Sequence, residues 1–132
     1  MPVIANAAYF GTTGKFEVVL DDYTAAVTSC ALVPSPPTAK VVDIGGGVTS
    51  LVGANQWEAQ LTYNQDWTTA ASLSKQLIAW HGQTKVCKYT PNNGGQVVTF
   101  TAVMRAGQVG GDAASLHTAT VTLQINGQPV FA

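Results

Sequence analysis

The sequence predicts a mainly β fold, a β-sandwich or partly closed barrel with one flanking α-helix over about residues 69–81. Three observations lead there. Apolar and polar residues alternate with period two through much of the 132-residue chain. Clusters of Gly, Pro and Asn punctuate those runs. A single stretch, "TTAASLSKQLIAWHG", changes to helical spacing, with Leu73, Leu77 and Trp80 on one stripe and Ala70 one turn earlier.

In "GKFEVVL" the residues Phe16, Val18 and Leu20 share a face, and Asp21, Asp22 and Tyr23 are expected to form the turn that follows. "AAVTSCALV" alternates Ala26, Thr28, Cys30 and Leu32 against Val27, Ser29, Ala31 and Val33. Proline removes ladder donors, so "PSPP" at residues 34–37 interrupts the sheet. A short strand is expected over residues 39–44, then a glycine-rich loop over residues 45–55.

"QWEAQLTYN" places Trp57, Ala59, Leu61 and Tyr63 on one face and Glu58, Gln60, Thr62 and Asn64 on the other. In the helix that follows, Thr68 or Thr69 can cap the start and Gly82 can end it in a left-handed turn. So short a stripe is not stable alone in water and must pack on the sheet. Period two returns in "TKVCKYTP" and in "QVVTFTAVMRA", whose Val98, Phe100, Ala102 and Met104 share a face, and "NNGG" between them is a hairpin signal. "LHTATVTLQI" turns Ala119, Val121, Leu123 and Ile125 inward and Thr118, Thr120, Thr122 and Gln124 outward; Asn126-Gly127 is expected to turn the chain into a last short piece.

Length bounds the chain to one domain with one core. Apolar residues make up 46% of it and charged residues only 10%, against an average of about 25%. Two readings fit a surface built from Thr, Ser, Gln and Asn: one covered by other copies or partners, and one of an extracellular β domain. A net charge of −1, with six unclustered Lys and Arg, argues against a dedicated nucleic-acid binder, which needs a basic footprint. The N-terminal "MPVIANAAYFGTTG" lacks the pattern of a secretory signal, no apolar run is long enough to span a membrane, and a protein folded in the cytoplasm is expected. Cys30 and Cys87 fit no zinc motif; they could pair if oxidised, but two reduced, buried thiols are expected.

The sequence holds little that reads as chemistry. "DIGGGVTSLVG" lacks the Lys-Ser or Lys-Thr of a phosphate loop, and His81 and His117 have no placed acidic or thiol partners for a metal. Asp21 and Asp22 are adjacent, so their side chains point apart. No serine or cysteine sits in a nucleophile elbow. The expectation is therefore no enzyme, no cofactor and no metal. Trp57, Trp67 and Trp80 keep a carbohydrate-binding module open as a second class, although Trp57 and Trp80 fall on apolar faces.

A Trp-bearing alternating strand, a short helix ending in His-Gly, "KVCKYTP", a hairpin, and "GQVGGDAASLHTATVTLQINGQP" with its glycine bend before a long Thr-rich strand together resemble the major tail tube proteins of long-tailed bacteriophages. That resemblance implies a subunit that self-assembles into hexameric rings, stacked as a hollow phage tail tube through which DNA passes without sequence-specific binding. It implies a virion tail location after assembly in the host cytoplasm, with tape measure and terminator proteins as further partners and no membrane. In that frame residues 1–132 are a tube-like domain with residues 1–10 as an assembly arm. Val3, Ile4, Tyr9 and Phe10 in the arm and Val48, Leu51 and Val52 in the loop are then interface candidates. Glu58, Gln60 and Thr62 compete with Thr118, Thr120 and Thr122 to line the lumen. A capsid decoration, a tail terminator or completion protein, and a sugar-binding module are the alternatives.

Overall fold

The computed structural model describes residues 2–8, 13–92 and 95–131. The arm candidates Tyr9 and Phe10, and the Asn93-Gly94 tip of the expected hairpin, lie outside the described residues. Among the described residues nine strands and one helix follow in chain order: β1 (Lys15–Val18), β2 (Asp21–Asp22), β3 (Val27–Pro34), β4 (Thr38–Val42), β5 (Val48–Val52), β6 (Trp57–Asn64), α1 (Leu73–Ala79), β7 (Thr84–Thr90), β8 (Val98–Val103) and β9 (Thr118–Phe131). Seven of the strands form one antiparallel sheet in the order β2-β1-β7-β8-β9-β6-β3, curled into a half-barrel, and β4 and β5 form a separate two-stranded sheet.

The alternation read from the sequence sets the sides of the large sheet. Phe16, Val18, Ala59, Leu61, Tyr63, Cys87, Phe100, Ala102, Met104, Ala119, Val121, Leu123 and Ile125 are buried in one cluster inside the curl. Leu73 and Leu77 of α1 close over them, and Trp57 and Trp80 pack against the cluster, half-buried. Burying one such leucine favours folding by about 1.5–3 kcal/mol, which holds in place a helix of only 7 residues. Trp80 also meets Tyr23 edge-on at 6.4 Å and receives the Lys85 ammonium over its ring at 5.3 Å.

Five local expectations are corrected. The first turn lies at Val19 and Leu20, not at residues 21–23: Val18 pairs with Asp21, so Asp21–Asp22 becomes β2, and Leu20 is 91% exposed instead of facing the core. Val19 takes a positive φ of 58° there, a strained setting for a β-branched residue. The helix starts at Leu73, not near residue 69. The Asp66 carboxylate accepts the amide hydrogens of Thr68 and Thr69 (2.9 and 3.2 Å), which folds residues 67–71 as a turn, and Ser72 is the cap. Ala70 is exposed in that turn. Gly82 does end the helix region in a left-handed conformation, φ 82°.

The first strand after the prolines spans Thr38–Val42, leaving Asp43 and Ile44 to the turn. Residues 45–55 are not one loop: Val48–Val52 is strand β5, paired with β4 from Val42↔Val48 to Thr38↔Val52. Gly45, Gly46 and Gly47 form the tip, where the Asp43 amide donates to the Gly47 carbonyl (2.9 Å) and the Gly47 amide to Asp43 Oδ1 (2.8 Å), with Gly46 at φ 86°, and Gly53 lies at the base after β5. Asn126-Gly127 is a bulge, not a turn. The register steps from Thr101↔Asn126 to Thr99↔Val130 with Gly127 at φ 79°, and β9 runs on through it to Phe131.

Candidate assembly surfaces

The outer face of the curled sheet is built by the residues that alternate with the core. Across β6 and β9 the pairs Glu58↔Gln124, Gln60↔Thr122, Thr62↔Thr120 and Asn64↔Thr118 stand side by side. The two candidate lumen sets, Glu58, Gln60 and Thr62 on one side and Thr118, Thr120 and Thr122 on the other, are therefore one continuous surface. It widens through Thr101 and Val103 of β8 and through Ser29, Ala31 and Val33 of β3. Thr62 and Thr120 hydroxyls meet at 3.1 Å, and Gln124 Nε2 donates to Glu58 Oε1 at 3.3 Å. Glu58 is the one ionisable side chain among these residues.

The two edges of the sheet differ. At one, the two-residue β2 covers part of β1, with Asp21, Asp22 and Glu17 beside it and Lys15 Nζ bonded to Glu17 Oε1 at 2.8 Å. That ion pair holds the Lys15 ammonium above its ordinary pKa, and the Thr24 hydroxyl donating to Asp22 holds that carboxyl below its own. At the other, β3 runs eight residues with no charged side chain and is paired with β6 alone among the described strands. Charged or very short strands blunt a sheet edge, and β3 is neither. A bulge between Val27 and Ser29 and the terminal Pro34 are what interrupt it.

The curl leaves these two edges facing each other across an open groove of about 480 Å³, lined by Phe16 and Lys15 of β1, by Thr24, by Val27, Thr28, Ser29 and Cys30 at the start of β3, by Tyr89, and by Thr13 and Gly14. Burial pushes the Cys30 and Cys87 thiols up to about 12, and both are unpaired thiols.

The β4–β5 hairpin leaves the opposite end of β3. It continues the β3–β6 ladder through the Ser35 amide on the Gln56 carbonyl (2.6 Å) and the Gly53 amide on the Pro37 carbonyl (2.7 Å). All ten residues of its strands are exposed. Cross-strand register puts Val42, Val48 and Val52 on one of its faces and Ala39, Val41 and Leu51 on the other. The interface candidates Val48, Leu51 and Val52 are thus brought together with Val41 and Val42 in one exposed element. Val3 and Ile4, also exposed, belong to a segment without strand pairing at residues 2–8. The sequence signal for the hairpin was the β-branched alternation of "TAKVV" and "VTSLV", masked by the glycines between them.

Other marked residues are absorbed by structure. His81 Nδ1 accepts from the Ala106 amide (3.0 Å), and His117 Nε2 lies 3.1 Å from the Asp112 carbonyl. The Trp67 indole donates to Gln65 Oε1 at 3.1 Å. Gln65 in turn accepts from the Gly110 amide and donates to the carbonyls of Gly110 and Thr118, tying the long loop before β9 to the end of β6. Among the described residues no three or more His, Cys, Asp or Glu cluster as a metal site, and no helix is long and apolar enough to cross a membrane.

No family model and no curated protein matches this sequence. The fold, however, is shared with solved structures. A chain of the virion of a native gene transfer agent particle superposes with a TM-score of 0.66 at 14% identity, over 95% of this chain and 99% of that one. A chain of an extracellular contractile injection system, PVC sheath/tube terminator in the extended state, gives 0.60 at 12% identity over 98% and 99%. One from the PVC sheath-tube complex in the extended state gives 0.58 at 14% over 90% and 87%. The chain therefore shares its fold, along nearly its whole length, with chains of a gene transfer agent virion and of an extracellular contractile injection system.

Proposed function

We propose that this chain is a structural subunit of a phage-like tail, and that it self-assembles into rings stacked as a hollow tube. The observation that carries this reading is the β4–β5 hairpin. A two-stranded ribbon is marginally stable alone in water, and this one presents exposed aliphatic side chains on both faces, with none of the other described strands paired to it. Such an element is completed by neighbours. The uncharged β3 edge offers a second contact, a strand-to-strand seam within a ring.

In this reading the Thr- and Gln-rich outer face lines the lumen. Over β3, β6, β8 and β9 Glu58 adds one carboxylate per subunit, and Lys88 of β7 stands on the same face opposite Glu17 of β1, so a polyanion such as DNA meets mostly hydroxyls and amides with no cluster of positive charge to hold it. The resemblance of the sequence to major tail tube proteins and the fold shared with a gene transfer agent virion and with an injection-system sheath-tube complex both support it. The likeness to a chain of a sheath/tube terminator assembly keeps a second reading in play, a terminator that forms one closed ring and does not elongate.

Electron microscopy of the purified protein across a concentration series, with size exclusion on the same samples, tests the proposal. Stacked rings or tubes are expected for the natural sequence, whereas a terminator gives single rings. Replacing residues 48–52 with Gly and Ser, or deleting residues 2–8, leaves a folded monomer that does not elongate. Tubes of normal length from either variant overturn the assignment of those segments to the interface.

A further inference from the structure

We infer that the turn Val19–Leu20, at the acidic margin of the large sheet, receives the β4–β5 hairpin of a second copy, with Leu20 against Val42, Val48 and Val52 and Asp21 beside Lys40. This rests on the assembly reading above and adds the surface on which the hairpin sits.

The turn carries a cost that its own chain does not offset. Val18 pairs with Asp21, so Val19 and Leu20 alone join β1 to β2. A two-residue turn with positive φ at its first position ordinarily takes glycine there, and this one holds Val19 at φ 58°. No burial within the subunit comes of it. Leu20 is 91% exposed, and Val19 and Val86, joined by a bond from the Val19 amide to the Val86 carbonyl (2.8 Å), are each close to half exposed. Backbone strain kept together with an exposed aliphatic patch is the mark of a surface that another molecule covers.

The hairpin supplies the matching chemistry. The pairs Val42↔Val48, Lys40↔Ser50 and Thr38↔Val52 share one of its faces, so the Lys40 ammonium, the one cation of the hairpin, stands among three exposed valines. Around the turn most charges are matched already. Lys15 bonds Glu17, Lys88 stands across from Glu17, and the Thr24 hydroxyl donates to Asp22. Asp21, next to Leu20, is the carboxylate left over. Among the described residues neither Asp21 nor Lys40 forms an ion pair within its chain. Each surface therefore joins exposed aliphatic side chains to one unmatched charge, and the two charges are opposite in sign.

Placement makes the contact one between copies. Every pairing in the large sheet is antiparallel, so β1 and β3 run in opposite directions. They face each other across the groove at their starts, residues 13–16 and 27–30. The turn leaves the end of β1 and the hairpin leaves after the end of β3, so the two point away from each other within one chain. Two different surfaces at opposite ends of a subunit make a heterologous contact, which repeats head to tail from copy to copy.

Charge reversal tests the contact. Lys40→Glu and Asp21→Lys, both at exposed positions, are each expected to raise the protein concentration needed for assembly about tenfold. The double variant is expected to return to within about threefold of the natural sequence, because the reversed charges attract again. Leu20→Ser, which removes the aliphatic side chain without touching either charge, is expected to raise that concentration at least about tenfold. A natural sequence that assembles, with a double variant no better than the single ones and no effect of Leu20→Ser, overturns the contact and leaves the assembly reading standing. A natural sequence that stays monomeric at every concentration overturns both.

Discussion

Gly107 sits where the loop before β9 crosses the core, and no side chain fits there. A Cβ at this position would overlap the Tyr63 hydroxyl and lie 3.1 Å from Val121 Cγ1. Tyr63 is completely buried and flanked by neighbours on β6 and β9, so its ring has no free direction in which to yield. Gly107→Ala is expected to destabilise the fold by about 1–3 kcal/mol, the usual range for overpacking a filled site, read as a lowered urea midpoint at unchanged slope. An unshifted midpoint would mean that the loop lifts away from Tyr63 without loss. The sequence marks Gly107 only as one glycine of a bend. Its contact with a tyrosine 44 positions earlier is a product of sheet order, and strand order is not written in local periodicity.

Elements are held by short polar devices whose effect is local. Ser72 Oγ donates to the Asp66 carbonyl at 2.6 Å and accepts from the Lys75 amide at 3.5 Å, joining the turn after β6 to the first turn of α1. Ser72→Ala is expected to cost about 1 kcal/mol, and Ser72→Asp, which restores an acceptor for Lys75 but not the donor to Asp66, should recover part of it in the same denaturation series. The Asp66 carboxyl, held below its ordinary pKa first by the Thr69 hydroxyl and then by the Thr68 and Thr69 amides, is why the helix begins later than its stripe alone implies. The sequence shows the stripe Leu73, Leu77 and Trp80 because burial imposes it; it hides the start because Thr68, Thr69 and Ser72 all have cap chemistry and only the position of Asp66 decides between them. The hairpin was half-legible for a similar reason. Glycine marks a turn wherever it occurs, but three in a row read as a long loop unless the strands on both sides are seen to be in register. The alternating strands β6, β8 and β9 were legible because each has one face in the core, so a slip of one residue would expose every apolar side chain at once.

At the scale of the whole molecule the scarcity of charge becomes a statement about sides. A sheet with its core in the curl has one outer face, and over β3, β6, β8 and β9 that face carries mainly Thr, Gln, Asn and Ser with Glu58 as the ionisable group, while Lys88 of β7 and Glu17 of β1 pair beside it. Helix α1 lies on the core side of the sheet and keeps Ile78 exposed. In a tube these two directions separate into lumen and outer wall. Single cysteines at Thr120 and at Ile78, each in a Cys30→Ser background, report which is which. In the free subunit both are expected to react with a small maleimide and with one carrying a long polymer chain. In assembled tubes Thr120→Cys should keep the small reagent but lose the polymer-bearing one by at least about tenfold, while Ile78→Cys keeps both, because diffusion into a narrow channel excludes the polymer and the outer wall does not. The opposite pattern would put the helix inside and the Thr-rich face on the outside. It would also remove the account of why β6 and β9 carry hydroxyls and amides on that face where exposed strands would ordinarily carry more lysine and glutamate.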